Sequence, residues 1–287
     1  MIVKIVMCEG PHDTAFVSRI LRVMGCGNDK TQIGKFPDYL SNFLKKQYTP
    51  DVDTYPIYDA RGKTITPNYG LNYKDEVLFL LYSMGGDSKK NNRNKMVSYF
   101  LNLFKTEMLN PAEMGFDLHF VYEFDADKAG RDKRLEMLNK EICEQMPDFP
   151  GVSHGNYCNH ANISWGAYIF SDPDRDDGKL EDMVLPMMRK NNKDVFADIE
   201  LVVNKREAYK LYQTHKKKMD DDRWEKDKAM IGMAGQLNKC GSANAAIIEQ
   251  SCLITDEQIV TNMSCLEIGS FLLKGSSYNS VEDILSV

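Results

Sequence analysis

At 287 residues the chain is long enough to bury a real core and suits one large domain or two small ones. Its hydrophobic content of 43% and charged content of 27% exclude bulk disorder. A formal net charge of -6 argues against a protein that coats nucleic acid over its whole surface, since such binding draws its affinity from phosphate neutralisation; a local basic patch is still compatible with it.

The chain opens with "MIVKIVMCE", a short apolar run rich in β-branched residues that suits a buried strand. The run meets Glu9 rather than a small-residue cleavage site, and no apolar segment approaches the roughly 18 residues that span a bilayer. The expectation is a cytoplasmic protein with no membrane segment. A "GP" turn follows, Asp13 can cap a helix, and Phe16, Val17, Ile20, Leu21 and Met24 recur at helical spacing up to Gly25.

Residues 36–72 mix Pro, Tyr and Gly without periodicity and read as an irregular insertion with a short helix around "YLSNFLKKQ". "EVLFLLYSMGG" is a second buried strand, followed by an amphipathic helix at "NKMVSYFLNLFKTEM". "FDLHFVYEFDAD" is a third strand; Leu135, Leu138 and Ile142 mark the apolar face of the helix after it. "SWGAYIFSDPD" is a fourth strand, leading into a helix at "KLEDMVLPMMRK". Strands alternating with helices predict an α/β domain over residues 1–190, with a mainly parallel four-stranded sheet covered on both faces. Residues 191–287 read as a mainly helical extension packed on the same domain, with no linker of the Gly/Ser or Pro-rich kind before it.

Two basic clusters stand out, Lys89, Lys90, Arg93 and Lys95 in one and "HKKK" at 215–218 in the other. Each is a candidate patch or a solvated helix face. Seven cysteines without a C-x-x-C pair fit reduced thiols. "HGNYCNH", with His154, Cys158 and His160, has one feature of a zinc loop but no second ligand pair, and reads more simply as a polar loop.

The chemistry concentrates in acids at strand ends. In a parallel sheet the loops at the carboxyl ends of the strands meet on one edge. Glu9 ends the first strand, Asp125 and Asp127 the third, and Asp172 and Asp174 the fourth. Clustered carboxylates repel unless a cation or proton sits among them, and hard oxygen donors suit magnesium or manganese. The simpler account of Asp125 and Asp127 alone is a capped turn, with Asp127 capping a helix that begins near Ala129. A calcium loop fails because Ala129 stands at the fifth ligand position and a strand precedes it.

"VMCEGPHDTAFVSRIL" and "FDADKAGRD" together resemble the Toprim family, the catalytic domain shared by type IA and type II topoisomerases, bacterial primases, small ribosomal-RNA maturases and the overcoming-lysogenization-defect nucleases. "GAYIFSDPDRDDGKLEDMVL" further resembles a segment of stand-alone Toprim-like proteins, and the likeness spans residues 1–190. It implies a Toprim-like fold in which Glu9 is an acid/base residue or metal ligand and Asp125 and Asp127 hold magnesium. It further implies that Glu181 is a second-metal ligand as in the nuclease branch, against the alternative of a helix-start acid favoured by the dipole. Lys128 and Lys228 are the candidates to place a cation on a substrate phosphate.

At this length we expect no topoisomerase strand-passage domain and no primase template module, and no Walker loop is present. Three functions remain. The first is magnesium-dependent phosphodiester hydrolysis, or a related phosphotransfer, on nucleic acid. The second is a non-catalytic nucleic-acid or nucleotide-binding Toprim protein, acting as a homo-oligomer or with a partner protein. The third is a phosphatase of the haloacid-dehalogenase type, which also places Asp-x-Asp after a strand.

Overall fold

The computed structural model describes residues 1–28, 32–45, 67–86, 89–107, 115–205 and 222–278. The opening apolar run forms β1 (Ile2–Cys8), and Pro11, pre-set for the first helical position, starts α1 (Pro11–Val23). Asp13 does not occupy the capping position. Gly10 does, and Asp13 reaches back from the third helical residue so that its carboxylate accepts the Gly10 N–H at 2.6 Å.

Two elements lie inside the stretch read as irregular: α2 (Asp38–Lys45), at the expected short helix, and β2 (Tyr69–Tyr73). The chain continues through β3 (Val77–Ser83), α3 (Lys90–Glu107), β4 (Asp117–Asp125), α4 (Arg131–Cys143), β5 (Asn156–His160) and β6 (Ile163–Phe170). Helices follow: α5 (Leu180–Lys190), α6 (Lys193–Asn204), α7 (Asp222–Asn238), α8 (Asn244–Gln250), α9 (Asp256–Thr261) and α10 (Met263–Leu273).

The sheet order is β2-β3-β1-β4-β6-β5. The inner four strands pair in parallel and are the four the sequence announces. The sheet nevertheless has six strands, not four, because β2 and β5 add antiparallel edges through hairpins to β3 and β6. "HGNYCNH" is therefore largely an edge strand rather than a loop. Its turn, Ala161-Asn162, takes positive φ at both residues without a glycine, and the turn after β2 does the same at Lys74 and Asp75.

Alternation along each inner strand divides the core into two layers. Val3, Ile5, Met7, Leu78, Leu80, Phe120, Tyr122 and Trp165 face α3 and α4 on one side. Val6, Cys8, Phe79, Leu81, Val121 and Phe170 face the other side, where Phe16 and Ile20 of α1 meet Met183, Ile247, Ile268 and Phe271. Each fully buried side chain of this size contributes about 1.5–3 kcal/mol by leaving water. The residue 191–278 helices thus share a core with α1 and the sheet. Arg19, buried in α1, strengthens the junction by donating to the carbonyls of Ile248, Ser251 and Ile254.

Arg93, grouped above with a surface basic patch, is 4% exposed. Its guanidinium grips Glu141 of α4 through two bonds of 2.8 and 2.7 Å and donates to the Gly85 and Gly86 carbonyls. The patch lacks its central member because a buried carboxylate claims it. The 215–218 run lies outside the described residues. Among the described residues no helix is long and apolar enough to cross a membrane.

Candidate functional site

The carboxyl edge of β1 and β4 and the first turns of α1 and α5 converge on one group of acids. Glu9 directly follows β1, and its backbone N–H donates to the Glu123 carbonyl at 3.2 Å. Asp125 ends β4, is 7% exposed, and accepts the Leu180 N–H at 2.9 Å on Oδ1. Glu181, the second residue of α5, is buried as well. Asp13, which the sequence reading took for a cap, completes the group from α1.

Burial raises the Asp125 carboxyl well above the usual range, and the charges of Asp13, Glu9 and Glu181 add to the effect; the Leu180 N–H opposes it. Asp13 is pushed up to about 7 by burial, then by Glu9 and Glu181. Beneath them Glu123 is fully buried, neither carboxylate oxygen has a hydrogen-bond partner, and burial with the nearby Asp13 raises it to about 8. Two helix N-termini, those of α1 and α5, offset part of this negative charge.

Glu181 behaves differently from its neighbours. Burial alone would raise it, yet its carboxyl is held below the usual range by the neighbouring His12 and Lys228. His12 Nδ1 and Lys228 Nζ each lie 3.6 Å from its Oε1.

Asp127 is engaged by cations of the chain itself, one of which, Arg134, also lies 4.0 Å from Glu9 Oε2. It sits at positive φ in a tight turn, bridged to Gly178 by a pair of backbone bonds of 2.8 and 2.9 Å. Gly178 must be glycine there, because at φ +134° any Cβ would collide with the Asp172 backbone nitrogen. In this turn the Asp127 carboxylate pairs with Arg134 on one oxygen and with Lys179 Nζ, at 2.7 Å, on the other. It does not cap α4, whose capping position is Gly130.

Asp172 and Asp174, expected on the same edge, stay in their own loop. Asp172 pairs with Arg175 at 3.0 Å and Arg223 at 3.4 Å and accepts the Asp174 N–H. Desolvation works against its charge, but these partners hold its carboxyl below the usual range. Lys128 is exposed, its ammonium 5.9 Å from the Trp224 ring centre.

The donor set, four carboxylates of which Asp13 and Asp125 are raised by burial and by their neighbours, has the hard-oxygen chemistry of a magnesium or manganese site. Its arrangement is not a closed cage: among the described residues no group of three or more His, Cys, Asp or Glu is placed to hold a metal ion. The same holds for "HGNYCNH", where His154 Nδ1 already accepts the Ile169 N–H at 3.0 Å.

Gly86 packs so close to Glu9 that an added Cβ would lie 2.7 Å from Oε1. That oxygen is the end of a flexible side chain, so Gly86→Ala is expected to displace Glu9 while leaving the fold intact. A structure of the variant beside a thermal melt checks this, with the Glu9 carboxylate moved and the melting temperature little changed.

No family model and no curated protein matches the chain. Among solved structures, the crystal structure of a hypothetical protein from Pyrococcus horikoshii OT3 is similar over 99% of this chain and 100% of that one, at 14% identity and a TM-score of 0.49. The functional reading therefore rests on the site's own chemistry.

Proposed function

We propose that the chain is a Toprim-like, magnesium- or manganese-dependent enzyme that hydrolyses phosphodiester bonds in nucleic acid, or carries out a related phosphotransfer. The observation that supports this reading is the convergence of Glu9, Asp13, Asp125 and Glu181, three of them buried, at the carboxyl edge of adjacent parallel strands. Asp13 and Asp125, raised by burial and then by the neighbouring acids, mark where the negative charge is least compensated.

Glu9, Asp13, Asp125 and Glu181 are the residues that would hold a divalent cation, which would supply Lewis-acid chemistry for a water and a phosphate oxygen. Asp125 and Glu181 are held by α5, through the Leu180 N–H and by membership of its first turn. Glu9 and Asp13 are held by the β1–α1 turn. Lys228, exposed beside Glu181, and Lys128, whose ammonium lies 5.9 Å from the Trp224 ring centre, are the cations this reading assigns to the phosphate backbone.

A second reading, a non-catalytic nucleic-acid or nucleotide-binding protein, is favoured by one observation. Both Asp127 oxygens are engaged by cations of the chain itself. Incubation with single- and double-stranded DNA and RNA, with magnesium or manganese, separates the readings. Metal-dependent cleavage supports the first, and retention of nucleic acid without turnover supports the second. Rapid cleavage of a phosphomonoester with nucleic acid untouched would instead favour the phosphatase.

A further inference from the structure

The two edges of the sheet end differently. β2 is partly capped, because Gly27 and Asn72 exchange backbone bonds of 2.8 and 2.9 Å. β5 has no such partner on its outer side among the described residues. The register of its hairpin fixes which groups it presents there. Ala161 and Asn162 both take positive φ in a two-residue turn, so the flanking residues His160 and Ile163 exchange backbone bonds with each other. Alternation then directs the amides and carbonyls of Cys158 and Asn156 toward β6 as well, and those of Tyr157 and Asn159 away from it. The start of the strand obeys the same register: Gly155, at φ +67°, donates to the Ala167 carbonyl at 2.8 Å in a bulge beside the Asn156–Ala167 pair.

An open edge is a template for another strand, and folded proteins blunt theirs with lysine, proline or inward-pointing charge. Asn156–His160 contains no Lys, Arg, Asp, Glu or Pro. The bulge at Gly155 confines the template to the residues around Cys158.

We propose that this edge joins the β5 edge of a second copy of the chain, antiparallel about a two-fold axis at Cys158. Self-complementarity selects the occupant. With the axis there, Tyr157 stands opposite Asn159 of the partner subunit and Asn159 opposite the partner's Tyr157, and each pair exchanges both backbone bonds. Every outward amide and carbonyl of Tyr157 and Asn159 in both copies is satisfied at once. No like charges meet across the axis, because the strand carries no Lys, Arg, Asp or Glu. The two six-stranded sheets become one, and the antiparallel junction sets the two acidic sites on opposite edges of it. The inference does not depend on the metal reading above.

Sedimentation equilibrium of the full chain over a concentration series, under reducing conditions, tests it with Asn159→Pro and Asn159→Ala. Proline removes the outward donor without taking a bond from the hairpin, since the Asn159 N–H points away from β6. Alanine keeps that donor and loses only the side-chain bond from Ser164. A reversible dimer is expected, its dissociation constant raised about tenfold or more by Asn159→Pro and less than about twofold by Asn159→Ala. Oxidation by diamide reads the register with β5 unaltered. The two Cys158 residues face each other as a non-bonded pair, Cα atoms about 4.5 Å apart, within reach of a disulfide. With the exposed Cys240 and Cys252 changed to serine, two thiols should give up two electrons and two protons to the reagent and the resulting bond should map to Cys158 of both copies. A monomer at every concentration, a dimer as strong in Asn159→Pro as in wild type, or a bond mapped to another cysteine overturns the proposal. Uptake of an unrelated strand peptide by a chain that stays monomeric also overturns it, and assigns the edge to another protein.

Discussion

Asp125→Asn is expected to lower metal-dependent cleavage of nucleic acid by about 10³-fold or more while the melting temperature holds or rises. The two halves of this result come from one property of the site. Asp125 is 7% exposed, and its ionised form is opposed first by burial and then by Asp13, Glu9 and Glu181. Asparagine keeps the shape and keeps an oxygen to accept the Leu180 N–H, so the anchor to α5 survives. It removes the charge that its neighbours resist, which relieves strain in the metal-free protein.

Without that carboxylate, however, the cluster loses the buried member that ends β4 and is tied to α5 by the Leu180 N–H. A cation would have to be held by Glu9 and the helix-borne acids alone. Cleavage assays beside thermal melts check the prediction. If activity and melting temperature fall together, Asp125 is a structural residue and the proposed role is wrong. If activity survives in full, the cluster is not the site.

The inner sheet is legible because strands buried on both faces read as near-continuous apolar runs, as "VLFLLYS" and, with Lys4 its one interruption, "IVKIVMC" do. The edges were hidden for the opposite reason. "NYCNH" is half-exposed and polar, and its turn uses Ala161 and Asn162 where a glycine would have announced a hairpin. Glu9 and Asp125 could be placed together because strand ends are signalled by composition, whereas Glu181 entered only through the family resemblance. Asp13 was misjudged although it stands only one helical turn after Glu9. Its identity as an acid at a helix start suits a cap equally well, and only the converging α5 distinguishes the two roles.

Asp127 shows where local reading ends. Its spacing from Asp125 suggests a shared ligand set, but the turn that carries it is closed by Gly178, and its partners Arg134 and Lys179 come from elements on either side. Arg93 makes the same point in reverse, since three neighbouring lysines say nothing of the buried Glu141 that claims it. Pairing across elements is a tertiary property, and a charged residue's sequence neighbours do not encode it.

Replacing Lys4 by methionine is expected to destabilise the protein at pH 10 and to stabilise it at pH 6. Lys4 is fully buried in β1, with its amine donating to Tyr157 Oη at 3.2 Å and to the Lys274 carbonyl at 2.8 Å. Burial, helped by the charge of Lys274, lowers its pKa from 10.5 to about 7. The unfolded chain therefore binds the proton more readily than the native one between pH 7 and 10.5, and stability from this residue rises with pH across that window. It is fully present above 10.5, is lost as pH falls toward 7, and changes no further below. A shift of this size corresponds to roughly 5 kcal/mol over the window.

Methionine has no such dependence, but it strands Tyr157 Oη and the Lys274 carbonyl, at a cost of about 1–3 kcal/mol at every pH. The two effects cross, so the order of stabilities should invert between pH 10 and pH 6. His119, lowered to about 3 by burial and the nearby Lys4, remains neutral over this range and does not blur the comparison. Urea unfolding of both proteins at several pH values measures the difference directly, and groups common to the two cancel. A constant difference would mean that Lys4 keeps its proton in the fold, and that the tie from β1 to Lys274, just beyond α10, is an ammonium bond after all.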